Sequence, residues 1–151
     1  MTTRPGTDRH STDRHSGQVP LDRLLGQVER LVSRRLDSVL AAENLTVDQW
    51  RVIDLLADDE GHTMSGIAAG VAVPGPTLTK IVDRLVDSAT VYRLVDARDR
   101  RRVLAFLSDH GHVVHARLSP RAAAVESDVL ATLGADAPAL LDLLARLAAQ
   151  R

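Results

Sequence analysis

Apolar residues recur every three to four positions from Leu21 to about Ala42, at Leu21, Leu24, Leu25, Val28, Leu31, Val32, Leu36, Val39 and Leu40. That period marks one face of an α-helix, here about six turns or roughly 33 Å long. A second helical stretch carries Trp50, Val52, Ile53, Leu55 and Leu56, with the Thr46 hydroxyl placed to cap it and residues 58–61 ending it. Thr63 caps a short helix over 64–70. After the break Val73-Pro74-Gly75 comes a helix over 76–88, with Leu78, Ile81, Val82 and Leu85 on its inner face. Pro76 suits the first turn, where its missing N–H would have no partner anyway. The period then changes. Val91–Val95 and Val103–Leu107 are short apolar runs joined by a polar loop, the pattern of a β-hairpin. Ser108 caps a long helix reaching about Leu133, with Val114, Leu118, Ala122, Val125, Val129 and Leu133 on one stripe. Pro120 inside it predicts a kink or an interruption. Gly134 stops that helix, and Pro138 opens a leucine-rich one over 139–150.

This order predicts a mainly α fold with a small β-hairpin. A winged helix-turn-helix core spans 45–108, and further helices lie at 21–44 and 109–151. The terminal helices are more apolar than so small a core can cover. The economical arrangement has them bury one another across a two-fold axis, so they read as dimerisation helices. An intramolecular bundle is the alternative. Residues 1–20 contain Thr7-Asp8-Arg9-His10-Ser11 repeated as Thr12-Asp13-Arg14-His15-Ser16, with almost nothing apolar. Such a segment reads as a flexible tail.

The length of 151 residues fits one compact domain or one protomer of an intimate dimer. With only Trp50, Tyr92 and Phe106 as aromatics, the core must be built from Leu, Val and Ala. There are no cysteines, which excludes disulfides and thiolate zinc sites and fits a reducing cytoplasm. No apolar run approaches the roughly 20 residues of a membrane span, and the first residues lack a signal-peptide core. The expectation is a soluble cytoplasmic protein with no membrane partner. No glycine-rich phosphate loop, nucleophile elbow or HExxH pattern is present, so neither an enzyme nor a cofactor is implied.

Net charge is −1, so bulk charge does not announce a nucleic acid. A local patch can act alone, because salt screens beyond about 8 Å. The hairpin loop, residues 96–102, holds Arg98, Arg100, Arg101 and Arg102 against Asp96 and Asp99, a local charge of +2, and Arg93 adds one more. Like charges crowded on a tip repel one another unless a polyanion neutralises them. An arginine there can enter a narrow minor groove. The two aspartates are expected to pair with arginines and hold the loop in shape. Just upstream, Thr77, Lys80 and Arg84 share the outward face of helix 76–88, with Thr79 adjacent. A helix fits the major groove, where hydroxyls, Lys and Arg reach base edges or phosphates. With the short helix before it, this segment forms a helix-turn-helix.

The stretch Leu45-Thr46-Val47-Asp48-Gln49-Trp50-Arg51-Val52-Ile53 resembles the opening of the winged-helix region in the MarR family of bacterial transcription regulators. Pro76-Thr77-Leu78-Thr79-Lys80-Ile81-Val82-Asp83-Arg84-Leu85 resembles that family's recognition helix. Asp96-Ala97-Arg98-Asp99-Arg100-Arg101, followed by Leu107-Ser108-Asp109-His110-Gly111, resembles its wing and the start of the next helix. The resemblance implies a homodimeric regulator, usually a repressor, that binds a pseudo-palindromic double-stranded DNA operator. It also implies a small aromatic or anionic effector bound between the dimerisation helices and the winged helix. Carried over by position, Thr77, Thr79, Lys80 and Arg84 would contact the major groove. Arg98, Arg100 and Arg101 would serve the wing, with Asp96 and Asp99 bracing it. Where the family has a Gly-Leu-Val-like turn, this chain has Ala89-Thr90-Val91. Alanine with positive φ there costs about 1 kcal/mol or forces another turn.

Two other readings use the same residues. His112 and His115 stand at i, i+3 and could share a zinc ion, with His62 and His110 nearby in the pattern. Alternatively, the chain is a helical dimerisation or protein-interaction module whose hairpin binds an acidic protein. Trp50 would line an effector pocket or belong to the core.

Overall fold

A computed structural model describes residues 19–150. Apart from residues 19 and 20, the segment expected to be a tail lies outside the described residues. Helix α1 runs Leu21–Leu40 and closes through a 3-10 turn, Ala41–Glu43. Helix α2, Val47–Leu55, starts with a reciprocal cap. The Thr46 hydroxyl accepts from the Gln49 N–H, and the Gln49 side chain accepts from the Thr46 N–H. Helix α3, Met64–Val71, is capped by Thr63, whose hydroxyl accepts from the Gly66 N–H at 3.1 Å. Helix α4 spans Gly75–Asp87, and strands β2 (Val91–Val95) and β3 (Val103–Leu107) follow. Helix α5, Asp109–Ala131, is capped by Ser108. Helix α6 spans Ala137–Ala148.

The sheet has three strands rather than a lone hairpin. A two-residue strand, His62–Thr63, is β1 in chain order and pairs antiparallel with β3, giving the order β1-β3-β2. Two residues are too few to show an alternating pattern, which is why the sequence did not reveal this strand. The β2–β3 register sets Tyr92 opposite Phe106, and their rings stack with centroids 5.5 Å apart. Entry into β1 depends on Gly61, which has φ +69°. A Cβ at that position would overlap the Phe106 ring.

The core gathers the inner faces of α2, α3 and α4, one side of the sheet, the underside of α5 and the last turn of α1. Leu40, Val52, Ile53, Ile67, Leu78, Val82, Leu85 and Leu118 are each 0% exposed. This packing fixes the inner face of α4 and therefore decides which of its side chains look outward. Helix α5 continues through Pro120, so of the expected kink or interruption the interruption does not occur. Pro120 and Ala116 are both exposed, so the carbonyl that loses its helical partner sits on the wet side of the helix. No residue of α6 is buried.

Candidate nucleic-acid interface

Helix α4 enters the interface from a tight turn. Ala72 takes a left-handed conformation at φ +55°, and the Val73 N–H donates back to the Ala68 carbonyl at 3.1 Å. Leu78, Ile81, Val82 and Leu85 are buried. Their burial leaves Thr77, Thr79, Lys80 and Arg84 exposed. The Thr79 hydroxyl donates to the Gly75 carbonyl at 3.1 Å, so outward it offers an acceptor only. Arg84 lies near the far end of α4. Together with Lys80, Thr77, Thr46 and Gln49 it borders a cleft of about 200 Å³ at the start of α2. The Thr46 and Gln49 N–H groups are already engaged in the cap of α2, so the charge offered to this cleft is that of Lys80 and Arg84.

The wing is aimed by the turn between α4 and β2. Ala89 holds the left-handed conformation at φ +57°, so the chain keeps the turn and accepts the strain of a Cβ. The Thr90 N–H donates to the Leu85 carbonyl at 2.8 Å. Ser108 stitches the other side. Its hydroxyl donates to the carbonyls of Ala89 and Thr90, and also accepts from the Gly111 N–H as the cap of α5. A Cβ on Gly111 would run into the Thr90 carbonyl, so only glycine lets α5 approach this close. The sequence offered a signal here, a glycine in the first turn of a helix.

At the tip, the Asp96 carboxylate accepts the Arg98 N–H at 2.8 Å, and the Asp99 carboxylate accepts the Arg101 N–H at 3.0 Å. Each aspartate folds the backbone two residues ahead, as short acidic side chains do in turns. The expected pairing with guanidinium groups is mostly absent; Arg102 and Asp96 alone come to 4.0 Å. Arg93 does not add free charge, because its guanidinium bonds Asp83 on α4 at 2.7 Å. That bond ties wing to helix. Among the described residues, Lys80, Arg84, Arg98, Arg100 and Arg101 have no carboxylate within 4.0 Å, and all five are exposed. Arg101 and Arg102 face Thr63 and Ser65 at the start of α3 across an open groove of about 390 Å³. Ser65 is a polar group the sequence reading missed, although its place in the first turn of α3 was readable.

The histidines go elsewhere. His62 bonds Asp58, His112 bonds Asp59 and His115 bonds Asp54, each within 3.0 Å. His115 also stacks on Trp50, with centroids 5.4 Å apart, and Trp50 is buried in the core. The Glu60 N–H, followed by the His62 ring, holds the Asp58 carboxyl below the usual carboxylate range. His112 and His115 thus serve separate aspartates. Among the described residues, no three His, Asp or Glu side chains gather to hold a metal ion.

A helix-turn-helix with its outer face exposed, beside a hairpin bearing uncompensated arginines, defines a winged helix-turn-helix regulator. The MarR-family profile matches residues 43–102. The transcriptional regulator FarR of Neisseria gonorrhoeae is 30% identical over 123 residues, covering 81% of this chain and 84% of FarR. The homoprotocatechuate degradative operon repressor of Escherichia coli is 28% identical over 79 residues, 52% of this chain and 53% of that protein. The crystal structure of NadR in complex with 4-hydroxyphenylacetate superposes with a TM-score of 0.80 at 28% identity, covering 91% of this chain and 99% of NadR. The chain belongs to the MarR family of transcription regulators.

Proposed function

We propose that the protein is a homodimeric, sequence-specific repressor that binds a pseudo-palindromic double-stranded DNA operator and releases it in response to a small effector. The observation that carries this reading is the set of exposed cations without acidic partners, Lys80 and Arg84 on α4 with Arg98, Arg100 and Arg101 on the wing. Thr77, Thr79 and Lys80, at the leading end of α4, read base edges or adjacent phosphates, while Arg84 grips the backbone from the cleft beside α2. Arg98, Arg100 and Arg101 enter or flank the minor groove, and Asp96 and Asp99 hold the loop that presents them.

Two copies are needed to place two α4 helices in successive major grooves, about 34 Å apart. The helices at 21–44 and 109–151 supply that pairing, and 45–108 supplies the reader. In α1, Leu24, Leu25, Val28 and Leu31 are exposed, as are Leu140, Leu141, Leu143 and Leu147 in α6. An apolar surface of that extent calls for a covering partner. The repressor sign follows the name of the Escherichia coli relative, and the effector follows the aromatic acid bound to NadR. Among the described residues no helix is long and apolar enough to cross a membrane, and a DNA target places the protein in the cytoplasm.

The test is binding to the duplex upstream of its own reading frame against a random duplex, across a salt series. A specific regulator prefers its operator by at least about 10³-fold, and its affinity falls steeply with salt as counterions are released. Equal affinity for both duplexes at every salt concentration would sink this reading in favour of a protein-interaction module.

A further inference from the structure

Lys80 is the single lysine of the chain, beside 18 arginines. It stands exposed on α4, in the outward row with Thr77 and Arg84. The two kinds of cation differ in chemistry. A guanidinium stays protonated, whereas a lysine amine becomes a nucleophile once it has given up a proton and is a target of acylation. Among the described residues no carboxylate covers the Lys80 ammonium, and Asp83, one turn on, is committed to Arg93 at 2.7 Å. Lys80 borders the cleft of about 200 Å³ that also carries Arg84, Thr46, Gln49 and Thr77. That cleft sets an acylatable amine beside a guanidinium, the group best shaped to hold phosphate oxygens. The open cleft of about 800 Å³ beside Arg51 gives an anion no such hold. Its lining includes Glu29, Asp48 and Asp54, and Arg51 is already bonded to Glu29 at 3.3 Å and to Asp48 at 3.1 Å.

We propose that Lys80 is an acylation site, that its donor is a small acyl phosphate such as acetyl phosphate, and that acylation switches off DNA binding. Arg84 holds the phosphoryl oxygens of the donor and sets its acyl carbon against the Lys80 Nζ. The ammonium first gives one proton to water. Its lone pair then attacks the acyl carbon, the bond from that carbon to the bridging oxygen breaks, and phosphate departs with the electron pair. The nitrogen releases a second proton to water, which leaves a neutral amide. Acylation removes the positive charge of the side chain and adds bulk on the face of α4 that reads DNA. This control is separate from effector binding, since it is covalent and lies on the reading face itself. A DNA phosphate held by Arg84 would exclude the donor, so the operator complex is protected.

This inference rests on the regulator reading, and two readouts keep them apart. The full chain is treated with acetyl phosphate, and peptide mass spectrometry separates Lys80 from the terminal amine. With the donor held in place, Lys80 is expected to react about tenfold faster than the lysine of a short peptide spanning the same residues. Arg84→Ala should remove that advantage, while the neutral donor p-nitrophenyl acetate acylates both proteins at the same rate. Should Arg84→Ala fail to fold, inorganic phosphate decides on the unchanged protein. It should slow acetyl phosphate and spare the neutral ester. Operator duplex should protect Lys80. The acetylated protein should bind operator about tenfold more weakly, with the slope of log affinity against log salt flatter by about one. Lys80→Arg protein should keep its own operator affinity through the same treatment. A rate no faster than the peptide's, no effect of Arg84→Ala or of inorganic phosphate, or unchanged operator affinity after acetylation each overturns the proposal. Absence of operator preference in the untreated protein overturns the regulator reading instead, and the rates at Lys80 still decide the acylation site.

Discussion

Leucine in α4 and leucine in α6 meet opposite fates. Leu78 and Leu85 in α4 are 0% exposed, whereas Leu141 and Leu147 in α6 are 50% and 51% exposed. Both helices have the same amphipathic pattern, and both open with a proline in the first turn. The difference lies in what faces them. Helix α4 is enclosed by α2, α3 and the sheet, and its polar side is left exposed. Helix α6 makes its main contacts only with the turn before it, Gly134–Asp136. Among the described residues this apolar stripe has no covering neighbour, which is what the proposed dimer would supply. The winged helix is a finished core, and on the proposed reading the terminal helices are half of an interface.

That contrast can be broken most directly by charge. Leu31→Asp or Leu144→Asp should convert the dimer to monomer in sedimentation and remove operator binding, while the winged helix keeps its circular dichroism. A dimer that survives either change removes the proposed interface. Next in size is Leu85→Ala, which deletes buried volume inside the finished core. It should cost about 2–5 kcal/mol in denaturant unfolding, with the protein still dimeric at high concentration. A smaller effect is expected at the wing. Arg101→Ala should weaken operator binding and flatten the slope of log affinity against log salt by about one, with no change in melting temperature. An unchanged affinity would take the wing out of the mechanism. The smallest change is Ala89→Gly, which removes a Cβ from a left-handed position. Relief of about 1–2 kcal/mol of left-handed strain exceeds the added unfolded-chain entropy of about 0.4–1 kcal/mol, so stability should rise by up to about 1 kcal/mol. A fall in melting temperature would show that the turn is not strained.

The helices of this chain were legible because their signals are local. Thr46, Thr63 and Ser108 each cap the helix that their position announced. The hairpin limits, Val91–Val95 and Val103–Leu107, fell where the period of apolar residues changed. The exposed row Thr77, Lys80 and Arg84 followed from spacing alone. The roles within that row did not, because Arg84 borders a cleft whose other side is Thr46 and Gln49 of α2. The same limit applied to Arg93, which looked like one more free positive charge beside the tip and is bonded to Asp83.

By itself, then, the sequence determined the period, the caps and the loop charge, all set by neighbours within a few residues along the chain. Tertiary structure alone decided the third strand at His62–Thr63, the aspartate partners of His112 and His115 and the close contact of Gly111 with Thr90. It also decided the acidic lining of the cleft beside Arg51. Each of these joins residues far apart in sequence, and their meeting depends on how buried faces pack. Whether Ala89 would keep the left-handed turn was likewise open to the sequence. Packing of Thr90 under Ser108 and α5 holds that conformation against its local cost.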